Sequence, residues 1–439
     1  LSYDKLILSP GARPVRPPIP GIERALSLLD VEDTDALVAA AAEATTAVVI
    51  GGGFIGVELA ENLRHRGMRV TLVEATPQVM APIDPELAAL VHAELRANGV
   101  DLRLGAAAAA IGEDSVVLGD GERLPADLVV AAIGVRPDSA LAEATGLAVA
   151  ERGGILVDEH CRTSDPAIYA VGDAVVKRDA LDGSDVLVPL ANTANLQGRR
   201  VADHIAGRRS PGRAVLGTAI VGVFGLQVAA TGWNEKRLRA ADRPYRAIHT
   251  HPSSHAGYYP GAEQMSLKLL VDPETDAILG AQGVGRDGVD KRIDIIATAI
   301  AGGISASDLA HLELAYAPQF GSAKDPVTML GFINENLREG VIESIQWHEL
   351  AEAMAAGATL LDIRNPGERA GGSLIPGAIN VPLDELRDNL DQLPDGDLIV
   401  HCAVGLRGHT AARILSQAGR TVRNLDGGYK TWSAGTSAS

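Results

Sequence analysis

Apolar and polar positions along this 439-residue chain follow two different periods, as expected for an α/β protein. Short continuous apolar runs at 48–50, 70–73 and 128–133 predict buried strands of a parallel sheet. The stretch 84–98 instead repeats its apolar residues at helical spacing, which predicts a helix that covers such a sheet. A further apolar run at 398–401 predicts a strand in a separate C-terminal α/β domain.

The segment 46–74 has the element order of a dinucleotide site. Its first strand runs into a turn with Gly51, Gly53 and Gly56, and an amphipathic helix and a second strand ending at Glu74 follow. Such glycines permit a tight turn, approach of the backbone to a pyrophosphate and close packing of the helix, whose N-terminus faces the phosphates. A terminal acid binds the ribose hydroxyls and repels a 2′-phosphate, so we expect NADH to be preferred over NADPH.

The same glycine spacing occurs again at Gly283, Gly285 and Gly288, between an apolar run at 277–281 and a helical stretch at 292–300. No second strand with a terminal acid follows this repeat. We therefore do not expect a second nucleotide site there.

Composition and charge exclude several classes of function. Hydrophobic residues make up 46% of the chain without any apolar run near the length of a membrane span, which favours a soluble protein of about three domains. The formal net charge of −17 argues against nucleic acid or an anionic membrane as the main partner. Only Cys161 and Cys402 are present, far apart in sequence, which favours a reducing compartment, by default the cytoplasm.

Two segments distant in sequence predict parts of one further domain. A strand at 3–8 leads into a turn at Gly11, and a strand at 168–171 leads into Gly172 and Asp173. On the residues alone, Asp173 could simply cap the backbone that follows it.

The stretches 190–199, 255–262, 314–320 and 324–326, taken with these elements, resemble the coenzyme A-disulfide reductase branch of the two-dinucleotide-binding-domain disulfide oxidoreductases. The resemblance covers 1 to about 336. It implies an α/β flavoprotein fold with an α+β dimerisation domain. The boundaries expected from it are 1–43 with 150–215 for the FAD domain, 44–149 for the NAD(P)H domain and 216–336 for the dimerisation domain.

The resemblance also implies cofactor contacts. The residues expected near FAD are Gly11, Ala12, Arg13, Gly172, Asp173, Leu190 and Ala191. The residues expected near NADH or NADPH are Gly51, Gly53, Ile55, Gly56, Glu58, Glu74 and Gly134. Glu58 has an alternative interpretation as an ordinary first-turn acid that is favoured by the helix dipole.

In this family a homodimer is expected, in which tyrosines of the dimerisation domain reach the partner's flavin site. Tyr258, Tyr259 and Tyr316 are the candidates for this role. Ordinary buried or interfacial aromatics remain the alternative, because tyrosines are common at such contacts.

Two elements of the family do not occur in the sequence given. These are the N-terminal glycine-rich turn for the ADP part of FAD and the redox cysteine that pairs with coenzyme A. We expect both to be encoded upstream of Leu1, and we expect the 439-residue chain alone to bind FAD poorly.

The C-terminal region carries a second chemistry. An apolar strand delivers Cys402 into a short loop that ends at Arg407 and opens a helix. Backbone amides of such a loop converge on the sulfur, and we expect a thiolate there that can attack sulfane sulfur and carry it as a persulfide. The alternative, an inert buried cysteine at a strand end, leaves the loop and Arg407 without a purpose.

The region 342–436 resembles a single-domain rhodanese along most of its length. Supporting stretches lie at 361–364, 375–382 and 425–429. Leu374 stands where the family usually carries His. The residues expected to form scaffold ion pairs rather than to act in catalysis are Asp362, Arg364 and Glu368.

Three histidines, His249, His251 and His255, fall within seven residues and raise the question of a metal site. Pro252 interrupts the run and no cysteine or acid stands nearby, so we expect no metal ion.

The parts together predict an NADH- and FAD-dependent reductase of coenzyme A disulfide, coenzyme A persulfide or polysulfide, in which Cys402 handles sulfane sulfur. Two alternatives remain open. One is an NADH oxidase or peroxidase on the same scaffold, and the other is a sulfurtransferase attached to an inactive nucleotide-binding scaffold.

Overall fold

The computed structural model describes residues 2–438, which form two compact units. One unit contains the chain up to Ala81 together with Glu94–Phe224, and the other contains Pro82–Ala93 and the chain from Gly225 onward.

A four-stranded parallel sheet forms the centre of the first unit. Its spatial order is Val100–Leu104, Arg69–Glu74, Thr46–Ile50 and Leu128–Ala131. Every residue of Thr46–Ile50 is buried, as expected for a central parallel strand with both faces covered. Helix Phe54–His65 follows that strand, so the predicted strand, turn, helix and strand are confirmed with ends shifted by a few residues.

A small antiparallel sheet of Ala108–Ile111, Ser115–Leu118 and Arg123–Pro125 packs its apolar side into the same core. Strand Leu6–Leu8 pairs in parallel with Ile168–Ala170, so the two distant segments do meet. The other elements of this unit are strands Ala12–Pro14, Val135–Pro137, Lys177–Arg178, Asp185–Val186 and Ala219–Val223, and helices Val31–Glu43, Ala140–Ala144 and Ala191–Ile205. The predicted helix at 84–98 is helix Pro85–Ala97.

The second unit begins with an antiparallel sheet, which we call the antiparallel domain together with the helices packed on it. Its strands lie in the order Leu226–Gly232, Ile278–Gly285, Met265–Val271 and Arg246–Thr250. Its helices are Glu235–Ala240, Val289–Gly302 and Pro326–Arg338.

The repeated glycine motif lies in this domain and is not a nucleotide turn. Gly283 and Gly285 are inside strand Ile278–Gly285. A Cβ on Gly283 would lie 2.7 Å from the Val289 side chain, and one on Gly285 would lie 2.7 Å from Met265 Cβ. The two glycines therefore let a helix and a neighbouring strand approach the sheet closely.

The rest of the second unit, which we call the C-terminal domain, is a parallel five-stranded sheet with helices. The strand order is Glu343–Ile345, Val422–Leu425, Leu398–His401, Thr359–Asp362 and Ile379–Asn380. The α-helices are Leu350–Ala355, Leu406–Gln417 and Gly428–Ala438, and 3₁₀ segments cover Pro366–Gly372 and Leu383–Gln392. This confirms the predicted strand before Cys402 and the helix after it.

A buried ammonium group joins strand Met265–Val271 to three acids of the second unit. Lys268 is fully buried, and its Nζ lies 2.9 Å from Asp84 Oδ2, 2.5 Å from Glu86 Oε1 and 2.6 Å from Glu235 Oε1. Burial opposes the charged form, but the three carboxylates raise the pKa of Lys268 above its usual value. The acids and the ammonium therefore depend on one another for charge compensation.

Within residues 2–438, none of the helices has both the length and the apolar character that crossing a bilayer requires.

Replacing Lys268 with Met should lower the free energy of unfolding of the second unit by about 3–5 kcal/mol, because three buried carboxylates lose the positive charge that they share. All three tryptophans lie in this unit, so urea unfolding followed by tryptophan fluorescence measures the effect. Lys324 is exposed, and Lys324→Met is the matched control, with an expected change within about 0.5 kcal/mol. Equal stability of the two variants would contradict this account of the cluster.

Candidate active sites

The three glycines of the turn after strand Thr46–Ile50 differ in the space that surrounds them. Gly51 has a φ of 109°, which side chains disfavour, and a Cβ there would collide with the Ala132 carbonyl. A Cβ on Gly56 would collide with the Gly51 carbonyl oxygen. At Gly53, which precedes helix Phe54–His65, a Cβ would meet nothing within 4 Å. The open space is therefore at the glycine that should face a pyrophosphate.

Glu74 ends the neighbouring strand and turns back onto this loop. Its Oε2 accepts a 2.8 Å hydrogen bond from Gly52 N, and its Oε1 accepts bonds from Thr76 N at 2.7 Å and Thr76 Oγ1 at 2.8 Å. Because a carboxylate has about four acceptor positions, it can still accept a bond from a ribose hydroxyl. The arrangement holds a negative charge beside the loop.

Three more residues of the expected nucleotide set differ in their surroundings. Two of them lie in helix Phe54–His65, and the third follows strand Leu128–Ala131. Ile55 is half-buried in the first turn of the helix, and Gly134 is exposed with a φ of 94°. Glu58 lines a cavity of about 550 Å³ together with Glu61. Partial desolvation, and then the charge of Glu61, raise the pKa of Glu58.

The expected FAD residues include an unsatisfied buried oxygen. Asp173 lies in a 3₁₀ turn after strand Ile168–Ala170, and its Oδ1 is buried without a hydrogen-bond partner. The turn itself is fixed by Gln197 Oε1, which accepts from Gly172 N at 2.9 Å, and by Lys177 Nζ, which donates to Gly172 O at 2.9 Å. An orphaned carboxylate oxygen on a rigid turn suits a ligand hydroxyl better than a capping role.

The remaining residues expected near FAD offer backbone groups or a charged side chain to a ligand. Gly11 has a φ of 72° and precedes strand Ala12–Pro14. Arg13 Nε lies 2.8 Å from Asp138 Oδ2 in an exposed ion pair. Leu190 precedes helix Ala191–Ile205, and its side chain provides no cap, so the first turn can receive a ligand's acceptor atoms.

Two of the candidate tyrosines, Tyr258 and Tyr316, lie together in the structure although they are distant in sequence. Tyr258 Oη and Tyr316 Oη lie 3.1 Å apart, with 78% and 47% of the two residues exposed. The Ala256 backbone N donates to Pro318 O at 3.2 Å and Gly321 O at 2.8 Å, which joins the two loops. The bond with Tyr258 raises the pKa of Tyr316. Tyr259 instead lies edge-on to His255.

The loop that holds Cys402 wraps around its sulfur. Gly405 N donates to Cys402 Sγ at 3.1 Å, and the side chain is completely buried. Gly405 has a φ of 93°, which allows the loop to turn into helix Leu406–Gln417. The Gly405 amide, at the N-terminus of this helix, is therefore directed at the place where a persulfide charge would develop.

Arg407 is held at the mouth of this loop by an acid. Its Nη1 lies 2.7 Å from Glu368 Oε2 and its Nη2 lies 2.5 Å from Glu368 Oε1, and this bidentate pair raises the pKa of Arg407. Arg364 makes a similar pair with Asp362, at 2.9 and 2.7 Å, inside the domain. The three residues expected to form scaffold ion pairs do so in the structure.

The three clustered histidines point to separate partners rather than to one centre. His249 contacts Asp426 and Glu86, His251 lies between Ser266 and Thr431, and His255 Nδ1 lies 3.2 Å from the Ala256 carbonyl. One group of acids in the described residues has the spacing of a metal site, namely Asp84, Glu86 and Glu235, and the Lys268 ammonium lies among them.

Sequence reasoning missed the partners of His249, Lys268 and His401. Burial lowers the pKa of His401 to about 4, so this ring beneath the loop is neutral near pH 7. The available signal was a single charged or titratable residue inside an otherwise apolar strand, as in MSLKLLV and LIVH.

Three parts of the chain match models of known families. Residues 1–198 match the model of the pyridine nucleotide-disulphide oxidoreductases, residues 218–326 match the dimerisation domain of that family, and residues 346–435 match the rhodanese-like domain. The coenzyme A disulfide reductase of Staphylococcus haemolyticus is 32% identical over 334 residues, which are 75% of each chain.

The chain belongs to the pyridine nucleotide-disulphide oxidoreductase family.

Two solved structures resemble this oxidoreductase over nearly its whole length. Reduced CoADR-RHD of Bacillus anthracis has a TM-score of 0.97 at 47% identity, covering 99% of this chain and 80% of that one. The NAD-dependent persulfide reductase of A. fulgidus has a TM-score of 0.92 at 39% identity, covering 98% of this chain and 80% of that one.

The expected family and fold are confirmed. This oxidoreductase is an NAD(P)H-dependent flavoprotein reductase with a dimerisation domain and a C-terminal rhodanese domain, and the family uses FAD and NAD(P)H. The antiparallel domain falls in the matched dimerisation region, and the C-terminal domain falls in the rhodanese region. The roles of single residues and the domain boundaries stay predictions.

The position of Glu74 predicts cofactor preference. The wild-type oxidoreductase should bind NADH more tightly than NADPH, because a 2′-phosphate would lie against the carboxylate. Glu74→Gln retains an acceptor for Gly52 N and should shift the affinity ratio toward NADPH by about tenfold, or ~1.4 kcal/mol. Calorimetric titration with both nucleotides measures the ratio. Glu113→Gln, an exposed acid of the same region, is the control and should leave it unchanged; a wild-type preference for NADPH would overturn the assignment.

Proposed function

We propose that this oxidoreductase reduces coenzyme A disulfide, coenzyme A persulfide or polysulfide with NADH, and that Cys402 supplies or accepts the sulfane sulfur. The proposal rests on two features of one chain, namely a dinucleotide turn with a terminal acid and a buried cysteine whose sulfur accepts a hydrogen bond from a backbone amide at a helix N-terminus.

The first unit supplies the nucleotide side of the reaction. The turn at Gly51–Gly56 would receive the pyrophosphate of NADH, and Glu74 would receive a ribose hydroxyl. The orphaned Oδ1 of Asp173 would accept a hydroxyl of the ribityl chain of FAD, with Gly172 held in place by Gln197 and Lys177. Bound FAD supplies the electron transfer between nicotinamide and sulfur.

The tyrosine pair supports a role at the thiol side of the reaction. Tyr258 and Tyr316 share one hydrogen bond but remain exposed, which leaves their hydroxyls available to a substrate or to a partner subunit. We propose that they act in the partner's site of a homodimer in the cytoplasm. A hydroxyl pair of this kind can donate a hydrogen bond to a leaving thiolate.

The sulfur side follows from the loop chemistry. Attack of the Cys402 sulfur on the outer sulfur of thiosulfate forms a cysteine persulfide and releases sulfite. Gly405 N is already directed at Sγ, and the other loop amides and helix Leu406–Gln417 would stabilise the negative charge of the persulfide. Arg407, which Glu368 positions at the mouth of the loop, would attract an anionic sulfur donor through its guanidinium group.

The presence of this loop beside the reductase favours persulfides over a plain disulfide as the physiological substrates, because a disulfide reductase has no need of a sulfur carrier. It also disfavours an NADH oxidase or peroxidase, which would use neither Cys402 nor the tyrosine pair. The sulfurtransferase activity by itself remains the second candidate, since the whole Cys402 loop lies within the C-terminal domain.

Cys402→Ser should abolish sulfur transfer from thiosulfate to cyanide, because the persulfide can no longer form. Arg407→Ala should lower kcat/KM by about tenfold or more, mainly through KM, since it removes a charge that attracts the donor. Cys161→Ser, which changes the other cysteine, is the control and should retain the activity. Transfer that survives in Cys402→Ser would refute the role of the loop.

In the complete, flavin-loaded enzyme, Tyr258→Phe and Tyr316→Phe should each slow NADH-dependent reduction of coenzyme A persulfide by about 10-fold to 100-fold, because a hydrogen bond to the leaving sulfur is lost. Tyr245→Phe changes a tyrosine of the same domain that is bonded to Arg239 and Glu235, and should have little effect on turnover. Steady-state kinetics measure all three variants. Full turnover in both Tyr258→Phe and Tyr316→Phe would remove these residues from the active site.

A further inference from the structure

A short segment of the C-terminal domain, residues 426–431, supports the Cys402 loop from behind. Tyr429 N donates to Cys402 O at 2.8 Å, and Lys430 N donates to Ala403 O at 3.0 Å. A Cβ on Gly428 would lie 2.6 Å from Cys402 O and 2.8 Å from Gly405 N. The backbone position of the Cys402 loop therefore depends on the position of residues 426–431.

The opposite side of the segment is bound to the antiparallel domain. Asp426 Oδ2 accepts from the backbone N of His249 at 2.9 Å and contacts His249 Nδ1 at 2.6 Å. Thr431 Oγ1 lies 2.8 Å from His251 Nε2. A Cβ on Gly427 would lie 2.9 Å from His249 Cβ, so the two domains approach closely at this point. The same six residues thus contact the antiparallel domain on one side and the sulfur loop on the other.

The hydrogen bonds of His249 define its charge. Besides Asp426 at Nδ1, its Nε2 lies 3.0 Å from Glu86 Oε1. Both carboxylates accept only, so both ring nitrogens must carry protons and the ring is an imidazolium. Burial disfavours this form, but the bonds to Asp426 and Glu86 raise the pKa of His249 to about 9.

Two other titratable groups are close enough to affect this ring, and one uncharged side chain shares its partner Asp426. Lys268 shares Glu86 with it and opposes its charge. His251, which follows the end of strand Arg246–Thr250, is kept neutral because burial, and then Lys430 and His249, lower its pKa. The remaining hydrogen bond to Asp426 Oδ2 comes from Gln346 Nε2 at 3.2 Å, which carries no charge. His249 is therefore the protonated group that holds Asp426.

We propose that His249 is a positioning residue for the sulfur-transfer centre: its bond to Asp426 fixes residues 427–430, and these fix the Cys402 loop. The proposal rests on the proposed sulfur-transfer function of Cys402. It makes the antiparallel domain a structural part of the sulfur site, although no atom of His249 touches Cys402.

The stabilisation supplied by the charge of His249 depends on pH. The folded-state pKa of His249 is raised above its usual value of about 6.5, so the stabilisation from its charge is fully present below about pH 6.5 and is lost as the pH rises through about 9. Loss of the proton removes the positive charge that holds the Asp426 carboxylate, together with one of the two ring bonds, and this loosens the segment behind the loop. Sulfur transfer should fall and Cys402, which is completely buried, should become easier to alkylate.

The test compares His249→Gln with the wild type in the full chain, from about pH 6 to about pH 10. His311→Gln is the matched control, because His311 lies in the same domain but forms only an exposed ion pair with Glu335. Asp426→Asn is a second variant that removes the charge but keeps an acceptor. The readouts are kcat/KM for transfer from thiosulfate to cyanide and the rate of iodoacetamide alkylation of Cys402, with Cys402→Ser as the background.

At pH 7 we expect His249→Gln to lower kcat/KM by about tenfold, since small displacements of a reacting group are costly, and to raise the alkylation rate. Both differences from the wild type should shrink toward none above pH about 9, where the wild-type ring is neutral. His311→Gln should follow the wild type throughout. Asp426→Asn should resemble His249→Gln.

Wild-type kinetics and alkylation in His249→Gln at pH 7, or a difference that does not change with pH, would overturn the proposal. If His249→Gln fails to fold, two other measurements test the proposal. These are the kinetics of Asp426→Asn at pH 7, and the alkylation rate of Cys402 above pH about 9 in the wild type and in His311→Gln. Failure of the proposed function looks different, because Cys402→Ser would then retain sulfur transfer while the alkylation rates still report on His249.

Discussion

Both candidate sites depend on one constraint of backbone chemistry. The first N–H groups of a helix have no partner within the helix, and a strand that runs directly into a helix can direct them at a negative charge. The turn at Gly51–Gly56 would use these groups for a pyrophosphate, and the loop from Cys402 to Arg407 would use them for sulfur. In both places a glycine with a positive φ makes the turn possible, namely Gly51 and Gly405.

The second unit contains several charged side chains that are buried and paired with opposite charges. Lys268 compensates three carboxylates, and Asp362 compensates Arg364 within the C-terminal domain. Buried pairs of this kind add little net stability but make a misplaced partner costly. His249 extends the Lys268 cluster to Asp426, so the fixed charges reach from the antiparallel sheet to the segment behind Cys402.

The sequence was sufficient for elements whose signals are local. The strand, turn and helix at Thr46–His65 and the strand before Cys402 follow from apolar runs and glycine spacing over a few residues. Spacing alone would have been misleading at Gly283 and Gly285, where the same letters lie inside an antiparallel strand. The absence of a following strand with an acid was the signal that distinguished the two motifs.

What the sequence could not provide are contacts between distant positions. His249 meets Asp426 across 177 residues and Glu86 across 163, and Glu368 reaches Arg407 across 39. No periodicity encodes such pairs, because they depend on how whole sheets pack. The choice of Tyr258 and Tyr316 as candidates came from family resemblance, and the structure shows that they meet through a hydrogen bond.

If Cys402 carries sulfane sulfur, incubation with thiosulfate should leave a persulfide on it. Mass spectrometry of the intact protein and of its cysteine-containing peptides, after removal of the excess reagent, measures this. A gain of one sulfur atom is expected on the Cys402 peptide. An unmodified Cys402 peptide, or sulfur found on Cys161 instead, would contradict it.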